Sequence, residues 1–217
     1  MTNTIKSLSE QSKIILNEPS KLGQIILKNI PEEKGIYLIF RIVDKNLDLD
    51  GKPQINMSRI EDWIQTAPEM TLDGNRPTVH SLATFLESFW HENENILYIG
   101  KAGGNRGLRE RIGALLRHGG LSAKKEHKLG KGSPHAGGHW LYSLAKLDKL
   151  WLCHTADIGT IDVSALETRL MELFILGRGG IGPVDLPWAN LEIRSIGSDH
   201  PAIIYRRKQK RLKKSRG

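Results

Sequence analysis

Residues 35–43, GIYLIFRIV, are almost entirely β-branched, aromatic or aliphatic. A short apolar run opened by glycine and followed by the turn-rich DKNLDLDGKP (44–53) reads as a buried strand. Working outward, a second run of the same character, ILYI (96–99), precedes KAGGNRG (101–107), and a third, LWLCH, covers 150–154. Helical spacing returns between them. Residues 78–92 set Val79, Leu82, Phe85, Leu86 and Phe89 on one face. The segments 58–66, 108–118 and 163–176 also read as helices, the last with Asp162 as its N-cap. An N-terminal helix is expected over 5–17, and the Gly-, Lys- and His-rich stretch 119–139 reads as a loop. Few strands separated by helices predict an α+β chain with a small sheet.

Composition narrows the function classes. Of 217 residues, 39% are apolar and 26% charged, the balance of a folded globular protein rather than a disordered one. A chain this long buries about 70% of its unfolded surface and needs no staple. No apolar run approaches the roughly 20 residues of a membrane span, so no membrane partner is expected, and the first residues lack a secretory layout. The lone Cys153 excludes an intramolecular disulfide framework and a cysteine-rich zinc finger; a cytoplasmic location is expected. Charge is unevenly placed. The stretch 205–217, YRRKQKRLKKSRG, holds eight basic residues and no acidic ones. Removing those eight from the total of 32 leaves 24, which balances the 24 acidic residues of the first 204 positions. Such a run attracts a polyanion.

The polar residues inside apolar patterns carry the chemistry. Tyr37 lies in GIY and Tyr98 in YIG, each in a strand beside glycine; either alone would be an ordinary strand tyrosine. On a wheel of about 100° per residue, Arg111 borders the stripe of Leu108, Ile112, Leu115 and Leu116, Arg109 lies beyond Leu116, and Arg117 faces outward. The same construction puts Glu167 among Val163, Leu170, Met171 and Phe174, with Arg169 and Glu172 outward. An inward carboxylate costs several kcal/mol unless paired or coordinated. It is therefore half of a buried salt bridge, for which Arg111 is a candidate, or a divalent-metal ligand, the preferred reading. Asn190 falls in LPWANLEI (186–193), 23 residues past Glu167. The eight histidines show no HExxH spacing and read as scattered surface residues rather than a zinc site.

The ordered set GIY, YIG, Arg111 in LRERI, Glu167 in ALETRLMELF and Asn190 in LPWANLEI resembles the GIY-YIG nuclease family over most of residues 34–192. The resemblance implies a small antiparallel three-stranded sheet flanked by helices. It implies metal-dependent hydrolysis of DNA phosphodiesters, double-stranded DNA as partner, and one Mg²⁺ or Mn²⁺ held by Glu167. Tyr37 would activate or orient the attacking water as general base, which requires its pKa to fall from the usual value near 10. Tyr98 would bond the phosphate or water, Arg111 would stabilise transition-state charge, and Asn190 would fix the geometry. Lys101, Arg109, the loop residues Lys124, Lys125, Lys128 and Lys131, and Arg206, Arg207 and Lys208 of the basic run are the candidate nucleic-acid contacts.

This chain departs from the family pattern in three places. The tyrosines are 61 positions apart, so a helical insertion at about 44–92 is expected to protrude between the first two strands. Leu115 stands one turn after Arg111, where the family often has His or Tyr; His118, or His127, His135 or His139, is the substitute. The Gly-rich KAGGNRG is longer than usual, and its amides either bind phosphate or form only a turn. The expected organisation is an N-terminal helical segment (1–33), a nuclease-like domain (34–204) and a basic tail (205–217). A non-catalytic nucleic-acid-binding scaffold and an RNA-directed nuclease are the alternatives. Restriction, repair and mobile-element roles all stay open, and nothing in the sequence sets the oligomeric state.

Overall fold

The computed structural model describes residues 3–42, 53–68, 70–72, 74–90, 95–104, 107–119, 121, 136–177 and 186–190. Lys124, Lys125, Lys128, Lys131, His127, His135, Arg206, Arg207 and Lys208 lie outside the described residues. In chain order the elements are α1 (Asn3–Ser12), β1 (Ser20–Lys21), β2 (Gly35–Phe40), α2 (Met57–Thr66), α3 (Val79–Glu87), β3 (Ile96–Ala102), α4 (Gly107–His118), α5 (Ala136–Tyr142), β4 (Trp151–Thr155) and α6 (Val163–Gly177). The architecture is mixed α+β, with a four-stranded antiparallel sheet in the order β1-β4-β2-β3 and helices flanking it.

Three strands were expected and the three long ones are there; the fourth is β1. Two polar residues, Ser20 and Lys21, pair with Leu152 and Trp151 along the outer edge of β4. That edge is extended by Asn17. Its backbone N–H donates to the carbonyl of His154 at 2.9 Å, and its Oδ1 accepts the His154 N–H at 2.5 Å. The backbone groups of an exposed edge need partners, and they recruit residues whose side chains show no strand pattern.

Strand β2 lies between β4 and β3 and is buried along its whole length. Ile36, Leu38 and Phe40 point to one face, where Ile5 and Leu8 of α1 and Val163, Leu166, Leu170 and Phe174 of α6 cover them. Tyr37 and Ile39 point to the other, against Leu108, Ile112, Leu115 and Leu116 of α4 and Trp140 and Leu141 of α5. Burial on both faces is why GIYLIF shows no polar–apolar alternation.

The described part of the insertion contains two helices, and these pack against the sheet side rather than protrude. Ile60 and Ile64 of α2 and Leu82 and Leu86 of α3 belong to the same core as Tyr37 and Tyr98. Trp188 Nε1 donates to the carbonyl of Leu86 at 2.9 Å, and the Trp188 ring meets Trp90 and Trp140 edge-on with centroids at 5.3 and 5.4 Å. Arg59 donates to the carbonyls of Tyr142 and Leu144 at 3.2 and 2.7 Å. Both helices carry an apolar stripe, and the α4/α5 side of the sheet is where that stripe finds cover.

Candidate active site

The antiparallel register of β2 and β3 sets Tyr37 opposite Gly100 and Tyr98 opposite Ile39. The two tyrosine rings are tilted at 41° with centroids 5.8 Å apart. They converge over Gly100. A Cβ there would stand 2.4 Å from Cε1 of Tyr98 and 2.5 and 2.7 Å from Cζ and Oη of Tyr37. Only glycine permits the phenols to meet on this face, which is the physical reason for the third position of YIG.

Tyr37 is wholly buried and Tyr98 nearly so. The Tyr37 hydroxyl is bonded to Tyr98 and to Arg111, the interaction with Tyr98 favouring ionisation of Tyr37 and opposing that of Tyr98. The guanidinium carries only N–H donors, so it donates to the Tyr37 oxygen. Burial nevertheless dominates and pushes the Tyr37 phenol up to about 12, with Arg111 opposing and Glu167 reinforcing the rise. Tyr98 is raised well above its usual value, also chiefly by burial. The depressed pKa that a general-base role for Tyr37 requires is therefore not present; the surroundings favour a neutral phenol. Arg111, which the wheel places at the border of the α4 stripe, is exposed, and Arg117, which the wheel turns outward, is only partly so.

Glu167 and Lys101 meet at the same strand from its other face. Lys101 follows Gly100, so its side chain turns away from the tyrosines toward α6, where Nζ lies 2.7 Å from Glu167 Oε2. The two side chains are 20% and 15% exposed. Glu167 is thus drawn inward as the wheel indicates, but its partner is Lys101, not Arg111. Its charge still reaches both phenols and opposes their ionisation. Asp162, the fully exposed N-cap of α6, accepts from the amides of Ser164 and Ala165 at 2.9 and 3.0 Å. Those amides, with a smaller contribution from Lys101, hold its carboxyl below the usual range.

Asn190 is buried, and its side-chain amide bonds both backbone groups of Ile99. Oδ1 accepts the Ile99 N–H at 2.8 Å and Nδ2 donates to the Ile99 carbonyl at 2.7 Å, while Ala189 N–H donates to Leu97 O at 2.8 Å. Asn190 thus pairs with β3 as a neighbouring strand would, fixing the peptide groups on both sides of Ile99 between Tyr98 and Gly100. It holds the YIG strand in place.

Two further expectations are corrected. Arg109 spends its guanidinium on the carbonyls of Ile30 and Lys28, at 2.8 and 3.2 Å, and on the Glu32 carboxylate, so it anchors the segment before β2 instead of facing a polyanion. The start of α4 is likewise closed. Gly107 has φ +56°, Leu108 N–H donates to Glu33 O at 2.9 Å, and Arg109 N–H donates to Pro31 O at 2.8 Å. These amides are committed within the chain, and the end of KAGGNRG acts as a turn.

His118 packs with its ring centroid 4.5 Å from that of His139 and 5.4 Å from that of Tyr142, and His139 stacks on Trp63 of α2 at 4.8 Å. Burial lowers the pKa of His118. It belongs to the joint between α4, α5 and the insertion. Strand pairing brings a different histidine beside the tyrosines: His154 on β4, the cross-strand partner of Tyr37, buried with Nδ1 lacking a hydrogen-bond partner. Sequence reading passed over it because only the register of β4 reveals the pairing.

Among the described residues no group of three or more His, Cys, Asp or Glu side chains converges on one point. Mg²⁺ and Mn²⁺ sites for phosphate chemistry commonly use one or two carboxylates, with water and substrate oxygens completing the shell. A single sheltered carboxylate, Glu167, already neutralised by a cationic side chain, fits that mode and not an all-protein cage. No protein-family model, curated protein or solved structure matches this chain.

Proposed function

We propose that this protein is a divalent-metal-dependent endonuclease acting on double-stranded DNA, built on the GIY-YIG plan. The observation that carries the proposal is the convergence of Tyr37, Tyr98, Arg111 and Glu167 on the Gly100 stretch of β3, from two faces of the sheet and two helices. These four polar groups come from distant parts of the chain, and two of them are buried phenols.

In this reading Glu167 would hold the divalent ion, which would supply Lewis-acid neutralisation of the scissile phosphate. The residues of the chain do the rest. Arg111, exposed and already donating to Tyr37, presents its remaining N–H groups to a phosphate oxygen, where bidentate contact is strongest. Tyr37 is neutral: a phenol held at about 12 is ionised in roughly one molecule in 10⁵ at neutral pH. Its oxygen accepts from the Arg111 guanidinium, which ties the phenol to the group that would meet the phosphate. Tyr37 therefore orients the nucleophile, and Arg111 stabilises the charge that develops. Asn190 sets the position of Tyr98 through the backbone of Ile99.

A second reading, a scaffold that grips DNA without cutting it, is favoured by one observation: Glu167 is closed off by Lys101. Incubation with supercoiled plasmid and defined duplexes in Mg²⁺ or Mn²⁺, with chelator and RNA controls and end mapping, distinguishes the two. Metal-dependent nicking that disappears in Arg111→Ala and Glu167→Gln supports the nuclease. Binding without cleavage under every condition supports the scaffold, and cleavage of RNA alone reassigns the substrate.

A further inference from the structure

Resting on the functional reading above, we infer that Lys101 is the resident counter-ion of Glu167 and that a divalent cation reaches this carboxylate only by displacing it. Lys101 Nζ lies 2.7 Å from Glu167 Oε2, and both side chains are about four-fifths sheltered. A Mg²⁺ or Mn²⁺ ion needs a carboxylate oxygen at about 2.1 Å. An ammonium on the same oxygen would then stand within a few ångströms of a doubly charged ion, in a setting with little water to screen the repulsion. The two cations are mutually exclusive.

The displaced side chain has somewhere to go. Asp162, at the start of α6, is the other anion whose charge Lys101 already feels. Its carboxylate is exposed, and the long flexible stem of lysine can turn to it. A phosphodiester oxygen arriving beside Arg111 offers the same ammonium a second anion. Lys101 thus compensates the charge of Glu167 before an ion arrives, and avoids the cost of a sheltered unpaired carboxylate.

The test is Mn²⁺ binding to the full chain without nucleic acid, followed by the loss of the free-ion electron paramagnetic resonance signal. The proteins compared are the parent, Lys101→Met, Lys101→Arg, Glu167→Gln and the Lys101→Met/Glu167→Gln double variant. Lys101→Met should bind Mn²⁺ about tenfold more tightly than the parent, the gain expected from removing one largely sheltered competing charge. Lys101→Arg, which keeps the charge, should stay near the parent, and the double variant should lose the gain. Circular dichroism melts check folding, and Lys101→Gln replaces Lys101→Met should the latter not fold. Lys101→Met binding no tighter than the parent, or a gain that survives Glu167→Gln, overturns the inference. Plasmid cleavage by the same preparations reads the function separately. Metal-dependent cleavage with unchanged Mn²⁺ affinity sinks the displacement and leaves the nuclease. Tighter binding by Lys101→Met with no cleavage by any preparation supports the displacement and sinks the nuclease.

Discussion

Tyr37 illustrates how one side chain couples folding to chemistry. Its phenol has an ordinary value of 10.0 when unfolded and about 12 in the fold, raised first by burial. The unfolded chain therefore releases this proton first as pH rises, so the stabilisation is complete below pH 10 and is lost between 10 and 12. The loss amounts to about 2–3 kcal/mol. Tyr37→Phe should cost about 1 kcal/mol at neutral pH, because Tyr98 and Arg111 lose a hydrogen-bond partner, and should fall less steeply with alkali. Urea unfolding of both proteins at pH 9, 10 and 11 checks this. Cys153, whose thiol burial pushes up to about 12, contributes equally to both and cancels. Parallel decline would show that Tyr37 ionises freely in the fold. A second expectation concerns Glu167. Its inward direction is legible on a helical wheel, since its neighbours at helical spacing are apolar. The cation that meets it is not, because Lys101 sits on a strand 66 positions earlier and only sheet pairing turns it toward α6. With side chains 15% and 20% exposed, this pair lies between an exposed bridge and a buried one. Glu167→Gln should cost about 1–2 kcal/mol in chelator, less than the 3–5 kcal/mol of a stranded buried charge. Cleavage should fall by several orders of magnitude, and parental cutting by the variant would remove Glu167 from the chemistry.

At the level of elements, β3 is held on one side by β2 and on the other by the short segment carrying Ala189 and Asn190. The long strands are legible in the sequence because each is a short continuous apolar run, and the helices because their apolar residues recur at helical spacing. Strand β1 is not legible: two polar residues acquire strand geometry only because the edge of β4 requires partners. Nor is the work of Asn190, whose bonds to Ile99 span 91 positions and look like nothing more than a turn residue in LPWANLEI. The docking of α2 and α3 is hidden for the same reason, since periodicity says that a helix has an apolar face and not what covers it. Asn190→Ala should therefore behave as an edge defect. It leaves the Ile99 N–H and C=O unpaired in a buried setting, at about 1–3 kcal/mol per group. Amide hydrogen exchange at Ile99 should accelerate more than at Ile39 on the central strand. Cleavage should fall through misplacement of Tyr98 while Mn²⁺ affinity holds. Unchanged protection at Ile99 would mean that the strand keeps its place without the asparagine.

Across the whole molecule, charge and chemistry are separated along the chain. The first 204 residues carry no net charge, and the entire excess of +8 falls in residues 205–217, outside the described residues. Every residue assigned to the site precedes them. Arg109 and Lys101, which count as basic in the sequence, are internally neutralised by Glu32 and Glu167. On the proposed function, Arg111 is the local phosphate contact of the body and the tail is expected to supply the non-specific component of binding. Each phosphate neutralised adds about 0.9 to the slope of log affinity against log salt. Truncation before Arg206 removes all eight tail cations, so the slope measured by fluorescence anisotropy between about 50 and 200 mM salt should flatten by several units. Affinity should drop equally for two duplexes of unrelated sequence, because phosphates carry no sequence information. The cleavage rate at saturating DNA should stay at the parental value, since Tyr37, Tyr98, Arg111 and Glu167 are untouched. An unaltered salt slope would assign phosphate neutralisation to the body, and a sequence-dependent loss would make the tail a reader of bases rather than a polycation.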